Sequence, residues 1–450
     1  MECTDKKDDY FSIAKTIWDY AEVGYQEEKS SALLQDKLRE SGFSIKKGVA
    51  EIPTAFIASY GSGNPVIAIL GEFDALPGVS QTASPFREKR ADVNAGHACG
   101  HHLFGAGSMA AAIEVKNWMV ANNIKGTLRF YGTPAEEGGA GKVYMVREGL
   151  FDDVNAVLHW HPSNSNSANA ASSLANKSAK FRFYGVPSHA AGAPWFGRSA
   201  LDGVEAMNMM VNMMREHISP ESRIHHVITS GGEAPNVVPE FAEVFYYCRH
   251  PEMAMVKQNF EWMVEIAEAA AKGTQTKMEY EVIHGLYNVL PNETLSRVAH
   301  DNLSALGGIT YTEEETAYAH KIVESFEYGS NVSISTAQNV APFKVVRRGT
   351  GGSTDVGDVS WAVPTAGLRT ATWVPGTSAH TWQAVAAGGT TIGQKGMILA
   401  SKTLALTAVD YFRNPELLKK AKEELNRMRG QDFKYESLLG DRKPPLDYRK

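Results

Sequence analysis

Three runs of the sequence restrict the fold more than any other feature. "NPVIAILGEFDALPG" from Asn64, "GTLRFYGTPAEEGG" from Gly126 and "NAVLHWHP" from Asn155 each start apolar and end in acids or histidines. Short, near-continuous apolar runs read as strands buried on both faces. Small and apolar residues recur at helical spacing from Leu103 to Val120, and two amphipathic helical patterns lie between Asp8 and Gly42. Strands alternating with helices predict an α/β fold with a mostly parallel central sheet covered on both sides. Such sheets bind ligands beyond the carboxyl ends of their strands, where these polar clusters fall.

The middle of the chain has a different pattern. "SAKFRFYG" reads as a strand, Arg198 to His217 as a helix, "RIHHVITSGG" and "VPEFAEVFYYCRH" as strands, Met253 to Ala271 as a helix and "TKMEYEVIHG" as a strand. This β-α-β-β-α-β order is that of a ferredoxin-like α+β unit. The sequence therefore predicts an inserted domain at 179–290, between a first part of the main domain at 1–178 and a second part at 291–450. The second part returns to the earlier style, with helices near Glu293 to Leu306 and Thr390 to Tyr411 and a strand at "AGLRTATWV". "NPELLKKAKEELNRMRG" reads as a charged surface helix.

Composition narrows the partners. A net charge of −6 with acids and bases intermixed offers no basic stripe for a phosphate backbone, so no nucleic-acid partner is expected. No run of about 18 apolar residues is present to span a bilayer, so no membrane partner is expected. Three scattered cysteines suit a reducing compartment, and the cytoplasm is the expected location. The opening "MECTDKKDD" leaves the alternative of a lipoprotein tether after signal removal.

The chemistry centres on "GHACGHHLFGAG", where Cys99 and His101 sit in a turn before an apolar helix and can converge on one point. Thiolate and imidazole together suit zinc or a similar borderline metal. Glu136 and Glu137 follow a strand; if extended, they face opposite ways, so that one could hold a metal while the other addresses a water. His159 and His161 end the next strand, and His380 lies in a Gly/Ser loop past another. With Asp74 in "GEFDALPG", five strand ends would offer donors at one sheet edge. Two ions would need roughly six to eight ligand atoms. Cys99, His101, Glu137, His161 and His380 suffice if Glu137 or the thiolate bridges, and Glu136 is the candidate proton acceptor.

These motifs, with "MVREGLFDDV", "GRSALD", "PNVVP", "STDVGDVSW" and "GTSAHTWQ", fall in order from about residue 10 to 412, and the chain resembles the M20 metallopeptidase family in its amidohydrolase branch. The resemblance implies a zinc-peptidase-like catalytic domain binding two divalent ions, Zn²⁺ or Mn²⁺, and an inserted lid that dimerises. It carries metal ligation to Cys99, His101, Glu137, His161 and His380, and general-base catalysis to Glu136. His159 stays open as an alternative to His161, since both share a strand face. Two departures stand out. Glu72 occupies a place where other branches carry a ligand histidine, and His102 stands where many amidohydrolases have aspartate, which suggests a supporting or helix-capping role.

In the inserted domain, the resemblance gives His189 of "PSHAAGAP" a role at the partner subunit's oxyanion. Asn236 and Arg249 are candidate holders of a substrate carboxylate, since guanidinium and carboxylate match as forks. The expected reaction is metal-dependent hydrolysis of an amide bond in N-acyl amino acids of the p-aminobenzoyl-glutamate kind. A dipeptidase or aminoacylase on the same core is the alternative, and a non-catalytic binding protein the alternative of another class. A homodimer through the lid is expected, with a related second subunit also open. His97, His225, His226, His250, His284, His300 and His320 read as structural, and "AMNMMVNMM" as core or dimer packing.

Overall fold

The computed structural model describes residues 6–327 and 331–450; the tether reading of Cys3 lies outside them. In chain order the main elements are α1 (Lys7–Tyr20), α2 (Glu28–Glu40), β1 (Ser44–Lys47), β2 (Phe56–Ser62), β3 (Val66–Gly71), α3 (His101–Ala121) and β4 (Gly126–Gly132). There follow α4 (Gly141–Arg147), β5 (Ala156–Ser163), β6 (Ala175–Tyr184), α5 (Ala200–Met214), β7 (Arg223–Ser230), β8 (Phe241–His250), α6 (Met253–Thr274) and β9 (Lys277–Leu286). Last come α7 (Glu293–Leu306), α8 (Glu313–Glu324), α9 (Val356–Ala362), β10 (Thr365–Ala371), α10 (Thr391–Arg413) and α11 (Pro415–Arg429).

The larger sheet has the order β1-β2-β4-β3-β5-β10. Strands β4, β3, β5 and β10 run parallel, while β2 pairs antiparallel with β4 and β1 with β2. The antiparallel edge escapes the sequence reading because "SIKK" is polar and "FIASYGS" soon loses its apolar run. Helix α8 was also missed, although Thr312 and Glu315 form a capping box at its start.

Strand alternation divides the core into two layers. Ile67, Ile69, Leu128, Phe130, Leu158 and Trp160 face the layer containing α3. Val66, Ala68, Leu70, Tyr131 and Val157 face the opposite layer, with Val143 of α4 and Val359 of α9. Burying each such large side chain contributes about 1.5–3 kcal/mol. His159 and His161 continue the Val157 row, and at the end of β5 this row borders a cavity instead of apolar core.

Helix α3 is buried on nearly every side, which its small residues allow. A Cβ at Gly105 would stand 2.8 Å from the Glu72 carbonyl oxygen, and one at Gly107 would stand 2.9 Å from Met397. Glycine at both places lets the helix lie close against the end of β3 and brings His101 beside Asp74.

The second sheet, β7-β8-β6-β9, is antiparallel throughout and carries α5 and α6, the ferredoxin-like arrangement. Phe181, Phe183, Met207, Tyr246 and Phe260 lie in its own core. Among the described residues no helix is long and apolar enough to cross a membrane.

Candidate metal centre

Four strand ends, not five, supply the site. Asp74, Cys99 and His101 all come from the β3–α3 connection, Glu136 and Glu137 follow β4, His161 ends β5 and His380 follows β10. Gly100 turns the chain with φ 75° between the thiol and the first helical residue, so Cys99 and His101 face one point. The Glu136–Glu137 pair is not extended. Ala135 and Gly138 both have positive φ, and the turn between them points both carboxylates inward.

His101 and His161 are each oriented from behind. His101 Nδ1 lies 2.8 Å from Asp74 Oδ1, and His161 Nδ1 lies 2.7 Å from the Pro162 carbonyl oxygen. Such partners hold the ring and turn Nε2 outward, as metal-ligating histidines require. Asp74 Oδ2 also accepts from the Glu137 backbone N–H at 2.9 Å, so one carboxylate sets two candidate ligands. His380 itself has φ 63° and donates its N–H to the Ala98 carbonyl oxygen, tying the β10 loop to the Cys99 turn.

The donors converge, and several of them do not satisfy one another. Cys99 Sγ is 3.4 Å from His161 Nε2, His380 Nε2 is 3.1 Å from Glu137 Oε1, and His101 Nε2 is 3.1 Å from Glu72 Oε2. Yet Glu72 Oε2, His101 Nε2 and Glu137 Oε1 are buried without an aligned hydrogen-bond partner among the described residues. Buried polar atoms are normally paired, so lone pairs aimed at one space mark a place for a cation. Two donor sets, Cys99/His101/His161 and Cys99/Glu137/His380, each fall within 4.8 Å and share the thiol. The donor set therefore fits the metal expected from the sequence, with the thiol common to both of these groups.

Without a metal the donors differ in protonation: despite burial, the charges of Asp74, Cys99 and Glu72 hold His101 well above the usual imidazole range. Burial and the neighbouring charge of His101 press His161 well below the usual imidazole range, leaving it neutral. Burial pushes the Cys99 thiol up despite the neighbouring His101. Burial, with the charges of Glu72 and Glu137, holds the Glu136 carboxyl well above the usual range.

The sequence reading missed a supporting layer. Lys142 is fully buried, with Nζ 2.7 Å from Glu72 Oε1 and 2.7 Å from Asp355 Oδ1, and its backbone N–H donates to Asp355 Oδ2. Burial alone would lower the ammonium, but Asp355 and Glu72 outweigh it and keep it charged. Glu72 is thus held by Lys142 on one oxygen and faces His101 and Glu136 with the other. Lys142→Met leaves two buried carboxylates without their cation, and an unfolding titration is expected to show a loss of about 3–5 kcal/mol. An unchanged transition would mean the network is dispensable.

The remaining candidates lie elsewhere. His159 lines the cavity beside Gly367, where a Cβ would meet its Nε2 at 2.2 Å, but it joins neither thiol-sharing set. His102 is buried within α3 with Nε2 3.1 Å from the Gly388 carbonyl oxygen, so it supports the helix without capping it. His97 bonds the Ile17 carbonyl oxygen through Nε2 and is pushed down to about 3 by burial, and it joins none of the donor groups. His189 and Asn236 are exposed, Arg249 stacks over Tyr247, and none of the three lines the cavity of a single chain. That cavity, of about 540 Å³, has Arg369 as its one cation among the described residues, with serines 167, 172 and 173 on its wall.

A six-stranded α/β sheet with converging thiol, imidazole and carboxylate donors describes a metallohydrolase. The profile of peptidase family M20/M25/M40 matches residues 68–383, and the chain belongs to that family of amide-bond hydrolases. It is 42% identical to a subunit of the p-aminobenzoyl-glutamate hydrolase of Escherichia coli (strain K12), over 92% of this chain and 91% of that protein. It is 29% identical to the Xaa-Arg dipeptidase of Mus musculus, over 92% of this chain and 88% of that protein. Its fold matches a dinuclear metal binding peptidase of the M20 family from Bacillus subtilis, at 18% identity and TM-score 0.63, covering 91% of this chain and 99% of that one.

Proposed function

We propose that this chain hydrolyses the amide bond of N-acyl amino acids, with p-aminobenzoyl-glutamate-like compounds as the leading substrates. The observation that carries the reading is the pair of donor sets sharing Cys99, with the carboxylate of Glu136 beside them. Similarity to the Escherichia coli hydrolase over nearly the whole chain supports the substrate class.

In this reading Cys99, His101, His161, Glu137 and His380 would hold two divalent ions, Zn²⁺ or Mn²⁺ by donor chemistry. Bound there, the ions would polarise the scissile carbonyl and acidify water. Glu136 accepts the proton of the attacking water and returns it to the leaving nitrogen, a task suited to a carboxyl held above its usual range. Asp74 keeps His101 and Glu137 in place. Arg369 offers a fork to a substrate carboxylate from within the chain's own cavity, while Asn236 and Arg249 would act from the lid.

We take residues 179–290 as the lid and the dimerising domain. Edge strand β7 and the outer face of α5 leave Val227, Ile228, Met209 and Met213 exposed, the last two at 62% and 60%. Apolar clusters of this kind favour burial against a second copy. The exposure of His189 suits a group that acts in the facing subunit's site. The Escherichia coli relative is itself named as a subunit, which keeps a second, related chain in view. Three scattered cysteines support action in a reducing compartment, the cytoplasm.

The test strips metal from the purified chain, restores Zn²⁺ or Mn²⁺, and follows p-aminobenzoyl-glutamate, other N-acyl amino acids and dipeptides ending in arginine. Turnover of the acyl-glutamate that returns with about two ions per chain is expected. Full metal occupancy with no turnover of any substrate would favour a binding protein; preference for the dipeptides would favour a dipeptidase.

A further inference from the structure

Beyond α11, the segment 430–450 crosses the molecule and reaches the metal loop. Tyr435 donates to Asp358 Oδ1 at 2.7 Å, and Arg147 donates to the carbonyl oxygens of Gly440 and Arg442 at 3.0 and 2.7 Å. Arg442 grips the second sheet through the Ile283 carbonyl oxygen at 2.7 Å and Glu281 Oε1 at 3.1 Å. Gln26 donates to the Leu446 carbonyl oxygen at 2.8 Å.

At its far end the segment enters a fitted seat. Tyr448 packs edge-on against Tyr25, with ring centres 5.6 Å apart, and a Cβ at Gly24 would stand 2.1 Å from the Tyr448 hydroxyl. Tyr25 in turn donates to the Gly139 carbonyl oxygen at 2.7 Å. The Tyr448 hydroxyl and Arg449 Nη2 both donate to the carbonyl oxygen of Glu137, each at 2.9 Å.

Glu137 is therefore held at three points. Asp74 takes its N–H, the C-terminal segment takes its carbonyl and His380 stands against its carboxylate. Its ψ of 73° lies outside the helical range, so a turn flanked by Ala135 and Gly138 at positive φ needs outside donors to keep this form. We infer that Tyr448 and Arg449 are positioning residues for Glu137, and that they set the affinity of the Cys99/Glu137/His380 set for its ion. The inference rests on Glu137 being a ligand.

The experiment titrates metal-free protein with Zn²⁺ by calorimetry, for wild type, Tyr448→Phe, the double variant Tyr448→Phe/Arg449→Met, and Glu137→Gln. Loss of partners that orient a ligand typically weakens metal binding about 10–100-fold. The double variant is expected to weaken one of two Zn²⁺ ions by that factor and leave the other unchanged, with Tyr448→Phe intermediate and Arg449→Lys restoring part of the loss. The thermal midpoint of the metal-free protein should stay close to wild type. Unchanged binding of both ions, or equal weakening of both with a lowered midpoint, overturns the inference. If Glu137→Gln itself binds two Zn²⁺ normally, the ligand assignment fails instead.

Discussion

Glu136→Gln is expected to lower kcat by about 10²–10⁴-fold while the chain keeps its metal. Glutamine preserves the shape of the side chain and cannot accept the proton, so a loss in kcat with metal content and KM near wild type isolates proton transfer. Burial and the charges of Glu72 and Glu137 raise the carboxyl, so its basic form fills only as pH rises through the shifted value. In the metal-loaded wild type, kcat/KM should fall on the acid side as this carboxyl is protonated, and this limb should vanish in the variant. Most of the wild-type turnover in a metal-loaded Glu136→Gln protein would remove Glu136 from the mechanism.

Cys99→Ala is expected to weaken both ions, by more than the roughly 10–100-fold that loss of an outer partner costs. The reason is geometric, since Cys99 is common to the Cys99/His101/His161 and Cys99/Glu137/His380 sets. Substitution of His161 or His380 should weaken one ion each. Proton release gives an independent check. Burial pushes the Cys99 thiol up, so near neutral pH it is protonated in the metal-free protein and must lose its proton to ligate. Metal affinity should then strengthen as pH rises. The measured binding heat should change with the ionisation enthalpy of the buffer in wild type and less so in Cys99→Ala. Equal proton release in the two proteins would mean another group supplies the proton.

The two predictions bear on different links of one arrangement. In the proposed mechanism Cys99 would govern whether the cations are held, and Glu136 what happens beside them once they are. Lys142 underlies both, since it neutralises Glu72 behind His101 and anchors Asp355 behind the helix that carries it.

The sequence alone determined the layered α/β scaffold with its mostly parallel sheet, and it offered an inserted antiparallel unit and the candidate donors Cys99, His101, Glu137, His380 and one of His159 and His161. These were legible because burial on both faces forces continuous apolar strands, and because thiol, imidazole and paired acids at strand ends have few structural uses. The parallel order of β4, β3, β5 and β10 follows from the same pattern, whereas the antiparallel β1–β2 edge left too weak a periodicity to read.

Tertiary structure decided what depends on contacts between distant parts of the chain. It brought His161, and not His159, within reach of the thiol. It joined Glu72, Lys142 and Asp355, three charges that look like ordinary surface residues in a string but lie buried against one another. It left His189, Asn236 and Arg249 outside the cavity of one chain and put Arg369 inside it. It also brought Tyr448 and Arg449 to Glu137 across 311 and 312 residues. Periodicity and local spacing report which face a side chain turns to the core; which partner it meets there is set only when the sheet order and the path of each connection are known.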